Sequence, residues 1–220
     1  MKSLRATAAF IGIVPVMLCL QGAQAAPVFH TTVALSTKDA GMKEMPLGDL
    51  MADAIRVSSH ADIALIAAYS FQSGSADIPS GTVTEAELNR SLASPSDTIT
   101  VIKITGKRLD EALTHAFMLY PLSYKAFLQI SGLNVKVKSD SASGVQSIRL
   151  TLNGKPIQPA QTYTVAMPQT LANGALGYYM YWDKDDITSS LSTSLSTALD
   201  NYMSSHSTIT SGDNRIAVQS

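Results

Sequence analysis

Residues 62–69 read Asp-Ile-Ala-Leu-Ile-Ala-Ala-Tyr, an apolar run with no polar position inside it to face water. Its length and flanks suit a strand buried on both faces, although a short run of this kind also fits a buried helical segment. Leu47, Leu50, Met51, Ala54 and Ile55 recur at helical spacing, which predicts an amphipathic helix over residues 46–58. Pro46 opens it, at the position where a missing N–H costs nothing.

Further elements follow from local signals. Pro79-Ser80-Gly81 is a turn, and Thr84 with Glu87 three residues on is a capping-box pattern for a short helix to about Leu92. Residues 98–104 are rich in β-branched side chains and read as a strand closed by Gly106. Leu109, Ala112, Leu113, Ala116 and Phe117 continue as a helix. Residues 127–130, 135–138 and 148–152 read as strands, and Asn153-Gly154 is a strong hairpin-turn signal. Ile187, Leu191, Leu195 and Leu199 mark a Ser/Thr-rich helix of poor intrinsic propensity, held by packing. A last strand runs over residues 215–218. Strands and helices mix without strict alternation, so the expected class is α+β, a mixed sheet with packed helices.

The front of the chain is read separately. Lys2 and Arg5 precede an apolar run over residues 8–20, followed by Gly22-Ala23-Gln24-Ala25, the small residues a signal peptidase reads. Residues 1–25 are therefore expected to be a signal peptide cleaved near Ala25. Residues 26–220 are expected to form a single domain in a secreted or periplasmic protein. The apolar run is too short for a stable membrane helix, and Pro15 interrupts it. The only cysteine, Cys19, falls inside the leader, and Leu18 before it argues against a lipoprotein site. Removing Lys2 and Arg5 from 16 basic residues leaves 14 against 17 acids, a net charge near −3. That balance points to neither nucleic acid nor a membrane surface as partner.

Residues 170–178, Thr-Leu-Ala-Asn-Gly-Ala-Leu-Gly-Tyr, are by spacing alone a loop after a strand over residues 162–167. They also resemble the F-L-A-x-G-G-D-G-[YF] loop of the C-terminal, substrate-binding domain of 5′-nucleotidases. Other motifs follow in the same order. Residues 44–54 (Glu-Met-Pro-Leu-Gly-Asp-Leu-Met-Ala-Asp-Ala) resemble the family's E-x-x-x-G-N-L-x-x-D-A, and Asp77-Ile-Pro-Ser-Gly81 its D-x-P-x-G. Thr105-Gly106 with Leu109 resembles L-T-G-x-x-L, residues 127–132 F-L-Q-V-S-G, and residues 213–216 the terminal E-G-R-I. The resemblance runs from about Lys43 to Val218 and implies the fold of that domain.

In that family the domain holds the nucleoside, while a separate N-terminal domain does the chemistry with two metals and a G-N-H-[DE] signature. This sequence carries no such signature, and its histidines (His30, His60, His115 and His206) are widely separated. A dinuclear site needs several imidazole and carboxylate ligands converging on ions a few ångströms apart. The expectation is no catalytic residue, no metal ligand and no cofactor in this chain, with the four histidines as surface or interface residues.

The resemblance implies a substrate site at Phe71, Gln72, Ser96, Thr170, Asn173, Gly174, Gly177 and Tyr178, with the binding groups altered. The family's Arg in N-G-G-G-I-R falls at Gln72, which brings no charge and no bidentate fork. The first base-stacking Phe falls at Pro95 or Ser96, the second at Thr170, and the Asp of G-G-D-G at Leu176. Tyr69, Phe71, Tyr178, Tyr179, Tyr181 and Trp182 are the aromatics available for a replacement clamp, although Tyr178 reads as a packing residue and Tyr179, Tyr181 and Trp182 fit core or rim equally well. Three readings follow: a binding protein that is non-catalytic by itself, with a degenerate nucleotide pocket for a nucleoside-like small molecule; the substrate-binding component of a nucleotide phosphohydrolase working with a separate metallophosphatase chain; or a structural or interaction module.

Overall fold

At the centre stands a five-stranded mixed sheet with two cores, one on each face. The computed structural model describes residues 28–75, 77–140, 144–206, 208–210 and 214–219. The expected signal peptide lies outside them. In chain order the elements are β1 (Val28–Thr31), α1 (Pro46–Ser59), β2 (Ile63–Ala67), β3 (Gly81–Thr84), α2 (Glu85–Arg90), β4 (Thr98–Thr105), α3 (Gly106–Ala116), β5 (Leu128–Ser131) and β6 (Leu133–Asp140). Then come β7 (Gly144–Leu152), β8 (Lys155–Pro156), β9 (Thr162–Pro168), α4 (Gln169–Ala172), β10 (Ile187–Ser194), α5 (Leu195–Ser205), β11 (Thr208–Ile209) and β12 (Ile216–Gln219). The central sheet has the order β10-β4-β9-β2-β5. Strand β2 is parallel to β9 and antiparallel to β5, and all five of its residues are buried.

Alternation of side chains along β2 distributes it between the cores. Ala64 and Ile66 join α1, α5 and β3 on one face. Ile63, Leu65 and Ala67 join α3, the β6–β7 hairpin and Trp182 on the other. Strand β4 divides the same way, with Ile99 and Val101 on the α1 side and Ile102 and Ile104 opposite. The run at residues 62–69 is thus the middle of a sandwich whose covers are sequence-distant.

Two smaller sheets complete the fold, β11-β1-β3 and β12-β6-β7-β8. The turn Asn153-Gly154 has positive φ at both residues (51° and 75°) and joins β7 to β8, as a two-residue hairpin of this composition does. At α2 the capping box is complete: Thr84 Oγ1 accepts from Glu87 N (3.3 Å), and the Glu87 carboxylate accepts from Thr84 N (2.8 Å).

One expectation is corrected. The helix read from Ile187 onward begins only at Leu195; Ile187–Ser194 is a strand antiparallel to β4. A spacing of four fits a helical face, but it also keeps residues on one side of a strand. The intervening Ser and Thr residues are weak helix formers, so pairing with β4 decides. Helix α5 starts where Ser194 Oγ accepts from Thr197 N (3.1 Å). β1 lies between β11 and β3, with Phe29 and Thr31 buried.

Candidate functional site

Where β2 and β9 leave the sheet, three loops meet. Just after β2, Ser70 O accepts from Ala93 N (2.9 Å), and Gln72 N donates to Ser91 O (2.8 Å), so residues 68–72 are sewn to the segment that leads into residues 94–97. That second loop is tied onward: Thr98 Oγ1 donates to Gln169 Oε1 (2.9 Å), and Leu195 N donates to Asp97 O (2.8 Å). Between the loops lies a slot lined by Tyr69, Ser70, Ser94, Asp97, Thr170 and Leu176, with about 30 Å³ of free space.

The slot is closed by the backbone of residues 170–178. Two residues past the end of α4 stands Gly174, whose φ of 86° is open to glycine; a β-carbon there would stand 2.6 Å from Tyr179 Cβ. Leu176 is also left-handed (φ 60°), an arrangement that costs an ordinary residue about 1–2 kcal/mol. Its carbonyl accepts a hydrogen bond from His115 Nε2 (2.9 Å), which fixes the proton on that nitrogen. The imidazole sits among the rings of Tyr178 (4.9 Å between centroids), Tyr181 (5.4 Å) and Tyr124 (5.6 Å). His115 is therefore half-buried and bonded to the site loop. Helical periodicity could not reveal this, because its partners lie on other segments.

Tyr178 is fully buried, stacks on Trp182 (4.8 Å, 5° between planes) and donates its hydroxyl to Ala126 O (2.5 Å). Burial, followed by the neighbouring Tyr124 and Tyr181, pushes that hydroxyl well above the ordinary phenol range. Trp182 Nε1 donates to Leu171 O (3.0 Å). Behind the loop, Arg108 Nε donates to Tyr181 O (2.7 Å) while its guanidinium pairs with Asp186 (Nη1 to Oδ1, 2.7 Å).

The residues expected at the site are only partly brought together. Thr170 lines the slot; Gly174 and Gly177 shape its backbone. Asn173 and Ser96 are exposed, and Ser96 does not line the slot, which Ser94 and Asp97 line instead. Tyr178 is in the core. Phe71 is buried in the core on the α1 side of the sheet. Gln72 is exposed, its carbonyl accepting from Thr37 Oγ1 (3.0 Å).

Phe71 and Gln72 border a second, open cleft of about 320 Å³. Lys38 and Lys125 line it, and no carboxylate does among the described residues. Tyr69, 47% exposed, is shared between slot and cleft. Among the described residues, no group of three or more His, Cys, Asp or Glu is placed to hold a metal ion. No helix among them is long and apolar enough to cross a membrane.

The order of elements, with three loops converging at one edge of the central sheet, defines an α+β domain with a mixed sheet covered on both faces. The profile of the 5′-nucleotidase C-terminal domain matches residues 26–183, and the chain belongs to that family. The fold is similar to that of a 5′-nucleotidase precursor from Thermus thermophilus (TM-score 0.73, 21% identity, 88% of this chain and 39% of that one). It is similar also to the NAD nucleotidase of Haemophilus influenzae (0.68, 16%, 87% and 38%) and the sulfate thiohydrolase SoxB of Thermus thermophilus (0.60, 13%, 86% and 34%). This chain thus spans well under half the length of each. No curated protein sequence matches it.

Proposed function

We propose that this chain is a secreted or periplasmic ligand-binding module, released by cleavage near Ala25, that does no chemistry by itself and whose nucleobase slot is lost. The observation that carries this reading is the 30 Å³ slot between Tyr69, Thr170 and Leu176, set beside the open 320 Å³ cleft with Lys38 and Lys125. Stacking a base on an aromatic ring contributes roughly 1–3 kcal/mol per contact. With Thr170 and Pro95 or Ser96 at the stacking positions, both contacts are missing, and Phe71, Tyr178 and Trp182 are buried elsewhere. Tyr69, which lines both slot and cleft, is the ring best placed to meet a ligand there, and the lysines favour an anion over a neutral nucleoside.

The test is a calorimetric and thermal-shift panel of nucleosides, nucleotides and nucleotide sugars, with and without divalent metal. Binding of phosphorylated ligands without turnover, weakened by Tyr69→Ala, is the expected result. Metal-dependent phosphatase activity from the purified chain alone would overturn the reading.

A second reading makes the chain the substrate-binding component of a phosphohydrolase whose metallophosphatase is a separate chain. It is favoured by the exposed apolar side chains after α3 and after Tyr178, where Leu122 (69% exposed), Met118, Tyr179 (70%) and Met180 meet solvent. Turnover appearing only on addition of a metallophosphatase chain selects it. Silence in both assays leaves a structural or interaction module.

A further inference from the structure

At the end of β2 away from Tyr69, a guanidinium is held in place and left without an anion. Arg56 stands in the last turn of α1, and its Nε donates to Ser131 Oγ (2.7 Å). Ser131 is buried and gives its own proton to Asp53 Oδ1, so the oxygen that Arg56 meets is already oriented. The stem of Arg56 lies against Gly132, where a β-carbon would stand 3.2 Å from Arg56 Cδ and would collide with Asp62 O. Nη1 and Nη2 of Arg56 have no hydrogen-bond or ion-pair partner among the described residues. By contrast, Arg108 forks onto Asp186 and Arg215 onto Asp53.

Arg56 lines an open cleft of about 350 Å³ together with Asn134, Asn153, Gly154 and the Asp53–Arg215 pair. Asp53 and Arg215 neutralise one another through two hydrogen bonds (3.0 and 2.7 Å), so the charge left over in the cleft is that of Arg56. Asp62, just before β2, is taken by Thr164, which donates from its N–H (2.9 Å) and its hydroxyl (2.7 Å). Register brings the two asparagines to one end of the hairpin: Leu133 pairs with Leu152, so Asn134 and Asn153 follow on either strand. Both are exposed, and neither carboxamide has a partner among the described residues, so each has an NH₂ group to donate. A cation in the last turn of α1 also answers the helix dipole. That role asks for a charge alone, which lysine supplies, and does not account for the fixed Nε or the open cleft.

We propose that this cleft is a second binding site, separate from the one at Lys38 and Lys125, for the carboxylate or phosphate end of a small ligand. A guanidinium presents its N–H groups in one plane, and an oxyanion accepts two of them in parallel. With Nε committed to Ser131, the pair on Nη1 and Nη2 is the fork that remains. Asn134 and Asn153 supply uncharged donors for the other oxygens. Because the fold already fixes the side chain, binding loses less conformational freedom here than at a mobile surface arginine. The five residues of β2, about 16 Å of strand, lie between this cleft and Tyr69, so the two sites can be filled independently.

An NMR titration of the ¹⁵N-labelled chain tests the site. Inorganic phosphate and acetate are added separately at constant ionic strength, with chloride as the control. The Arg56 Nε–H and the backbone amides of residues 132–134, 153 and 154 are followed. Saturable shifts at these groups with either anion are expected, unchanged by Tyr69→Ala; the anion that saturates says whether the ligand carries a carboxylate or a phosphate. Arg56→Lys keeps the charge and loses the fork, and should weaken binding by about tenfold or more. Arg56→Gln should abolish it. The wild-type Nε–H resonance carries the test by itself if neither variant folds. Shifts that stay linear in concentration and match those of chloride mean an adventitious ion only and overturn the site, as does affinity unchanged in Arg56→Lys. Shifts confined to the surroundings of Lys38, Tyr69 and Lys125 overturn it too, while leaving the ligand cleft there standing.

Discussion

The carboxamide of Gln129 occupies the place where Gly48 has no side chain: a β-carbon on Gly48 would stand 2.6 Å from Gln129 Cδ. From that position Gln129 Nε2 donates to Ala40 O (3.0 Å) and Lys43 O (2.8 Å), and Oε1 accepts from Met45 N (3.0 Å). One buried side chain on β5 thereby closes the backbone that leads into α1. The two motifs that hold these residues, 44–54 and 127–132, are halves of one contact.

Gly48→Ala should therefore destabilise the fold by about 1–3 kcal/mol, the usual range for overpacking, although alanine is the better helix former. Gln129→Ala should cost at least as much, because it strands one N–H and two carbonyls, and an unsatisfied buried group costs roughly 1–3 kcal/mol. Urea denaturation of both variants against wild type checks the pair.

Tyr178→Phe separates core from site. It removes the hydroxyl that reaches Ala126 O and keeps the ring on Trp182. The expected loss is about 1–3 kcal/mol of stability from the stranded carbonyl, with ligand affinity unchanged. A melting curve and the same titration panel measure the two separately.

Leu176→Gly should cost little stability, since relief of about 1–2 kcal/mol of left-handed strain offsets the packing that a half-buried leucine loses. It should also widen the slot beside Tyr69. Adenosine binding stronger than in wild type, measured by calorimetry, is the expected outcome; affinity no greater than wild type would show that Leu176 is not what closes the slot.

The Arg108–Asp186 pair sets an acid limit. Burial pushes the Asp186 carboxyl up, but the Arg108 hydrogen bonds and the Asp183 backbone N–H outweigh it and hold the group below its usual range. A carboxyl lowered by folding stabilises the native state above its unfolded pKa, and that stabilisation disappears as pH falls through the lowered value. Asp186→Asn should lose on the order of 1 kcal/mol at pH 7, modest because Arg108 is partly exposed, and should flatten the acid end of the stability profile. Thermal melts from pH 2 to 7 measure it.

Where the signal was local, sequence and structure agree. Pro46 with the apolar stripe behind it, Thr84 with Glu87, and Asn153 with Gly154 each name their element from within a few residues. At the site, the glycine frame at residues 174 and 177 was legible because only backbone geometry demanded it. The partners of that frame were not. Nothing near His115 in the sequence indicates that its imidazole would bond Leu176 O from 61 positions away.

The sequence by itself determined α1, α2, α3, the strands β4 to β7, β9 and β12, their order and the two-sided burial of β2, because hydrophobic period, caps and turn residues act within one or two turns of chain. Only the tertiary structure decided that Ile187 begins a strand and that β1 lies inside a sheet. It alone placed Trp182 in the core and Thr170 and Leu176 beside Tyr69 in one narrow slot. Those outcomes depend on the volume left between segments that meet late. Leu176, Tyr69 and Asp97 close one opening only because β2, β4 and β9 bring their loops to the same edge of the sheet.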